Sequence, residues 1–419
     1  MYNRATLVNG LPVVCEHIPY VRSVSIGFWV ACGSRNETSR EQGISHLIEH
    51  MVFKGTKNRS AREIAESIDA VGGHLNAFTT KEYTCFYVKI LDKHFRLGLE
   101  LLADLVINSL FPLEELEKEK NVVVEEIKMY EDSPDELVFD LLTQTILNQH
   151  PLGHPILGTP ESICNLNRDN LVQYKKRFYT PDNSCLAMAG NVDFDGILEE
   201  SNYFWRKLTG KFIPESSPSF KIQGKSCLRA KNTEQVHLCV GVPGFPRQHE
   251  DRYTLLVLNS ILGGSSSSRL FQELREERGL VYSTGTYYAA FRDTGLFSIY
   301  AGTSLKHFSQ VLALIQKELN NLKENRISTE ELNRAKEQIK GNLWLSLENT
   351  TNRMSRLAKS ELFYRKFISP EEVLEKVDNV TADNLRRVAA MLFHKELMTL
   401  TAIGPFGDEE HSYLKGWEG

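Results

Sequence analysis

The stretch GISHLIEHMVFKGT, Gly43 to Thr56, carries two histidines four residues apart with a glutamate between them. Ile44, Leu47, Ile48, Met51 and Val52 recur at helical spacing, so the stretch reads as an amphipathic helix. On that helix His46 and His50 lie at i and i+4, and both imidazoles leave one face about one turn apart. Two nitrogens placed this way can bind a single ion. Glu49 lies on the same side of the turn and can reach a water on that ion without ligating it. The order is H-x-x-E-H, the reverse of the common zinc-peptidase motif H-E-x-x-H. An ordinary helix face could carry the same residues, and the motif alone leaves both readings open.

A catalytic zinc takes three protein ligands and keeps one position open for water. The run EELEKEKNVVVEEIKMYEDSPDE supplies candidate carboxylates on a second predicted helix. Glu119 and Glu126 are seven residues apart and share a face two turns apart. Val122, Val123 and Ile127 mark part of this helix as buried, and a carboxylate facing inward there needs a partner. A metal is one such partner. A solvated charge run is the other meaning of a Glu/Lys-rich helix.

The elements that must hold these side chains come in two copies. PESICNLNRDNLVQYKKRFY followed by SCLAMAGNVDF matches PEEVLEKVDNVTADNLRRVAAMLF followed by LMTLTAIGPFG. Asp169-Asn170-Leu171 pairs with Asp383-Asn384-Leu385, and Gly190 with Gly404 at the same offset. YTCFYVKILDKHFRLGLELLADLV likewise matches TGLFSIYAGTSLKHFSQVLALIQKEL, each a strand, a Lys-His-Phe turn and an amphipathic helix. The repeat predicts two units of roughly 200 residues, an ordinary domain size. We expect domains at 1–212 and 229–419, joined by a linker at 213–228 that is rich in proline and serine. Within a unit, SVSIGFWVACG alternates as a strand. SAREIAESIDAVGG opens on a capping box, Ser60 to Glu63, and stops at Gly72-Gly73. LNAFTTKEYTCFYVKI reads as two strands with a turn near Lys81. Separate runs of strands and helices predict an α+β fold, with two homologous domains, each an antiparallel-rich sheet with helices packed on one face.

Composition bounds the function. The chain has 419 residues, 41% of them hydrophobic and 25% charged, with a net charge of -5. That describes a globular protein with no basic surface for nucleic acid and no basic tail for a membrane. No apolar run approaches the roughly 18 residues of a membrane span. Seven scattered cysteines without close pairs fit reduced thiols. With no signal or transit segment at the start, the expected compartment is the cytoplasm.

GISHLIEHMVFKGT, followed about 76 residues later by VVVEEIKMYED, resembles the pitrilysin/insulinase-type (M16) zinc metallopeptidases. The nearest branch in motif is that of the mitochondrial processing peptidase β-subunit and its bacterial homologues. The similarity extends through GGHLNAFTTKEYT, PLGHPILGTPESI and SSRLFQELREERGLVYS. It implies zinc ligands at His46, His50 and Glu126, one zinc per chain, a general base at Glu49 and an additional acidic residue at Glu119. Glu125, next to Glu126, is the competing choice, and the spacing favours Glu126. The resemblance implies a zinc endopeptidase acting on extended peptides or unfolded segments. Some members of the fold have lost the metal site and act as scaffolds, which is the alternative reading.

The second copy reads LLVLNSILGG where the first has the motif, so only one unit is expected to be catalytic. In LREERGLVY, Arg275 and Tyr282 are seven apart, a spacing at which the family's Arg and Tyr reach the substrate. GGSSSS, Gly263 to Ser268, is similar to the family's glycine-rich loop and lacks the Lys of a phosphate loop. The resemblance also implies that Asn76, Ala77, Phe78 and Thr79 belong to an edge strand to which the peptide adds by β-augmentation. Large single-chain relatives enclose substrate with four such units, and this chain has two. A homodimer is therefore expected, with Arg275 and Tyr282 serving the partner's site.

Overall fold

The computed structural model describes residues 2–148, 150–214, 224–407, 414 and 417. The first sheet has six strands: β1 (Tyr2–Thr6), β2 (Pro12–His17), β3 (Ser23–Val30), β4 (His74–Thr79), β5 (Thr84–Leu91) and β6 (Ser184–Gly190). Their order is β1-β2-β6-β3-β5-β4, antiparallel throughout except for the β2/β6 pair. The second sheet has five: β7 (Ser226–Ala230), β8 (Val236–Gly244), β9 (Val281–Ala290), β10 (Gly295–Thr303) and β11 (Thr399–Gly404). Their order is β7-β11-β8-β10-β9, with β7/β11 the parallel pair. Aligned element by element, the two orders coincide once β1 is set aside, so the repeat seen in sequence is a repeat of topology. Both Lys-His-Phe turns are short 3-10 segments, Asp92–His94 and Leu305–His307, each opening a long helix. The fold is α+β, as expected.

Compactness divides the chain differently from the repeat. One unit contains the described residues of Met1–Lys128, His154–Pro218 and Leu345–Ile368. The other contains those of Met129–Gly153, Ser219–Trp344 and Ser369–Gly419. Each half of the sequence thus gives one helical segment to the unit built mainly by the other half. Of the expected linker, residues 215–223 lie outside the described residues, and Ser226 already opens β7.

In the first unit, α1 (Ile44–Val52), α2 (Ala61–Asp69), α3 (Phe95–Asn108) and α4 (Leu113–Glu131) contribute to the main core. Ser60 caps α2 through the capping box with Glu63 that the sequence announces. Helices on one face only, however, is incomplete. The helix Thr350–Tyr364 covers the opposite face of this sheet. The alternation of β3 explains why this was not read. Ser25, Gly27 and Trp29 form the small and polar-looking side of the strand, and that side is the seat of a helix. The Ser25 hydroxyl meets those of Thr350 and Thr351 at 2.9 and 3.0 Å. A Cβ on Gly27 would meet Met354 Sδ at 2.5 Å, so only glycine leaves room for that methionine. Trp29 Nε1 donates to the same sulfur at 3.1 Å.

The second unit repeats the device. Val138, Leu142 and Ile146 of α5 (Pro134–Ile146) pack with Cys239, Tyr300 and Ile403 on the face of the second sheet opposite its larger core. No helix among the described residues is long and apolar enough to cross a membrane.

Candidate metal centre

The residues singled out on α1 and α4 come together. One ligand atom from each of His46, His50 and Glu126 lies within 4.8 Å of the others. Glu126 Oε2 is 3.8 Å from His46 Nε2 and 3.7 Å from His50 Nε2. Those separations are too long for hydrogen bonds. They suit donors that share one ion at about 2.0–2.2 Å each. The two rings lie edge to face, 4.6 Å between centroids, as i and i+4 side chains on one helix face. Burial, with a smaller contribution from His50, holds the His46 imidazole down at about 4, so it is neutral and can donate a lone pair at neutral pH. His46 Nδ1 is buried with no hydrogen-bond partner among the described residues.

Glu119 does what its position one face-repeat before Glu126 suggests. Buried itself, it accepts the Nδ1 proton of His50 at 3.0 Å. That fixes the tautomer and leaves the Nε2 lone pair toward Glu126. Its other oxygen is 2.6 Å from Lys54 Nζ. Lys54 escaped the sequence reading, although it lies one turn beyond His50 on the same chain segment. Glu125 faces elsewhere and pairs with Lys128 at 2.7 Å. On α4, Val123 and Ile127 are buried as expected, whereas Val122 is exposed on the far side.

The base candidate Glu49 is not a member of the ligand cluster. Its Oε2 accepts the hydroxyl proton of Thr79, at the end of β4, at 2.6 Å. Burial raises the carboxyl above its ordinary range, and Glu126 adds to this. The Thr79 bond and His50 oppose it.

Sequence reasoning also missed the residue that holds the start of α1. Glu37 is buried and accepts the backbone N–H groups of Gly43 at 2.8 Å and Ser45 at 3.0 Å. A carboxyl group there caps two free donors at the start of the helix. Burial pushes Glu37 up to about 8 against the pull of those N–H groups. The preceding residues fasten to the β4–β5 turn. Ser34 and Arg35 donate their N–H groups to the carbonyls of Thr80 and Lys81 at 3.2 and 2.8 Å. The Arg35 guanidinium is 2.6 Å from Glu82 in a buried ion pair. A Cβ on Gly33 would collide with the Thr80 carbonyl. Glu37→Ala leaves both buried N–H groups without their acceptor. It should lower the stability of the metal-free protein by about 1–3 kcal/mol in urea unfolding, and an unchanged midpoint would remove Glu37 from this role.

β4 is the terminal strand of its sheet. Ala77 is buried, and Phe78 packs edge-on against Trp29 at 5.5 Å. Ala77 is a core side chain, and Phe78 is partly buried against the cluster that contains Trp29. Asn76 Oδ1 accepts the N–H of Ala77 at 2.8 Å. In the second unit, the Arg275 guanidinium lies 5.8 Å from the Tyr282 ring and 4.9 Å from Phe271. Arg275 belongs to a π-helical turn, Phe271–Glu276, a geometry common at functional positions. Tyr282 is 77% exposed.

Two imidazoles and a carboxylate with a second carboxylate alongside are the chemistry of a metal-dependent hydrolase. The family model described as insulinase (peptidase family M16) matches residues 12–160, and that described as peptidase M16 inactive domain matches 165–339. The uncharacterized zinc protease YmxG of Bacillus subtilis is 46% identical over 409 residues, covering 97% of this chain and 99% of its own. An uncharacterized zinc protease of Streptomyces coelicolor is 38% identical, covering 98% and 91%. Among solved structures, the peptidase M16 inactive domain of Pseudomonas fluorescens superposes with a TM-score of 0.91 at 18% identity, covering 97% and 98%. A protease from Helicobacter pylori does so at 0.88 and 23%, covering 97% and 99%. These two structures speak for the fold alone.

The chain belongs to peptidase family M16. Its relatives' names imply a hydrolase with a zinc cofactor.

Proposed function

We propose that the protein is a zinc-dependent endopeptidase that cleaves extended peptides or unfolded segments, with one zinc per chain held by His46, His50 and Glu126. The observation that carries this reading is the convergence of those three donors within 4.8 Å, with the Glu49 carboxylate beside them and outside the ligand set. A zinc ion held by His46, His50 and Glu126 would supply Lewis-acid polarisation of the scissile carbonyl and acidify the attacking water. Glu49 takes the proton of the attacking water as its oxygen bonds to the carbonyl carbon. It then delivers that proton to the amine nitrogen as the C–N bond breaks. Glu119, braced by Lys54, keeps His50 in the tautomer that can donate its Nε2 lone pair.

The backbone of β4, at the sheet edge, is the proposed seat of the peptide, which would add as a further strand. Backbone pairing selects an unfolded chain over a folded one and reads little sequence. Mapping cleavage by mass spectrometry, in a library of unstructured peptides and in a folded control protein, tests this. Cuts confined to the unstructured substrates, and abolished by a chelator, are expected. Equal cutting of the folded control would refute the substrate class. The complete donor set speaks against the alternative reading of a scaffold that has lost its metal site. Cytoplasmic residence is part of the proposal, supported by seven cysteines scattered through the sequence without close pair spacing.

The working form is proposed to be a homodimer in which Arg275 and Tyr282 of one chain serve the metal centre of the other. The exposure of Tyr282, near the Arg275 guanidinium, supports an intermolecular role. Complementation is the test. A Glu49 variant is mixed with an Arg275/Tyr282 double variant under subunit-exchange conditions. A mixed dimer then has one site with both defects and one with neither, so activity should return. If the pair acted within its own chain, every site would stay defective, and proven exchange without recovery would rule out the shared site.

A further inference from the structure

We propose that the Thr79 hydroxyl is the positioning group for the Glu49 carboxylate, so that the base is set by the strand proposed to receive the peptide. This rests on the endopeptidase reading above. The bond from Thr79 Oγ1 to Glu49 Oε2, 2.6 Å long, is a short charge-assisted contact. Among the described residues it is the hydrogen bond given to Glu49. It occupies one carboxylate oxygen and leaves Oε1 free for the proton of the attacking water. Without it, no other hydrogen bond among those described directs the carboxylate, and the negative charge of Glu126 repels it.

The placement of Thr79 is itself fixed. Leu75, Ala77 and Thr79 alternate onto one face of β4, and Ala77 and Leu75 pack into the core that also contains α1. Just beyond Thr79, the carbonyls of Thr80 and Lys81 accept the N–H groups of Ser34 and Arg35. The same segment ends in Glu37, which caps α1. β4 and the helix bearing Glu49 are therefore tied at both ends of one buried clasp. That clasp keeps a single hydroxyl within bonding distance of a single carboxylate. Peptide pairing on β4 and base alignment on α1 then share one element.

The test compares Thr79→Val, which keeps the shape and removes the donor, with Thr79→Ala and Thr79→Ser. Misalignment of a reacting group by about 1 Å costs up to about 100-fold. We expect kcat of Thr79→Val and Thr79→Ala to fall by about 10–100-fold with KM for a long peptide little changed. Thr79→Ser should recover most of the loss. Zinc affinity, measured by chelator competition, should match wild type in all three, because the hydroxyl touches the base and not a ligand. A crystal structure of metal-free Thr79→Val should show the Glu49 carboxylate moved from its present position. Wild-type kcat in Thr79→Val overturns the proposal. So does a loss that serine fails to restore, or one that tracks falling zinc affinity. If the wild type itself shows no chelator-sensitive cleavage, the endopeptidase reading fails and this proposal with it. An active wild type with an indifferent Thr79→Val sinks this proposal alone.

Discussion

Replacing Glu49 by glutamine is expected to lower kcat by about 10²–10⁴-fold, the usual worth of general acid–base catalysis, while zinc remains bound. The substitution keeps length and shape, and the amide oxygen can still accept the Thr79 hydroxyl proton. What it removes is the ability to take a proton from water. His46, His50 and Glu126 are untouched, so the metal content of the purified variant should equal that of wild type. Steady-state turnover of a quenched peptide, with metal analysis on the same preparation, checks it. Near-normal kcat in Glu49→Gln would mean that another group carries the proton.

The second large effect separates neighbouring glutamates. Glu126→Gln should weaken zinc binding by more than the 10–100-fold or so typical of losing an outer partner, since it removes one of three donors. Glu125→Gln should leave zinc affinity close to wild type, because Glu125 pairs with Lys128 on an exposed part of α4. Chelator competition measures both. Equal losses, or the larger loss at Glu125, would shift the register of the centre by one residue and undo the ligand assignment.

The shared faces of His46 with His50 and of Glu119 with Glu126 were legible as helix geometry, and the resemblance to the M16 peptidases is what marked them as a candidate metal site. His46 and His50 at i and i+4 had to share a face, and the seven-residue step from Glu119 to Glu126 returned to the same side of α4. The capping box at Ser60 and the paired Lys-His-Phe turns were legible for the same reason, being local patterns. Lys54, Glu37 and the Thr79 hydroxyl were not, because each acts on a residue brought close only by the fold. Glu37 looks like any surface glutamate until Gly43 and Ser45 present their N–H groups to it. Ser25 and Gly27 give no sign of a cover, since a small polar side of a strand usually faces water, and here it seats the helix Thr350–Tyr364. No periodicity in β3 can reveal that its second cover comes from more than three hundred residues later in the chain.

The most direct measurement is a zinc titration of peptide hydrolysis. The protein is stripped with a chelator, the chelator is removed, and zinc is added in steps while cleavage of an unstructured quenched peptide is followed. Activity should vanish on stripping, rise linearly with added zinc and break at one equivalent per chain, with Glu49→Gln binding the same equivalent and staying inactive. Hydrolysis that survives stripping, or a return of activity with no break at one equivalent, would contradict a single catalytic zinc at His46, His50 and Glu126.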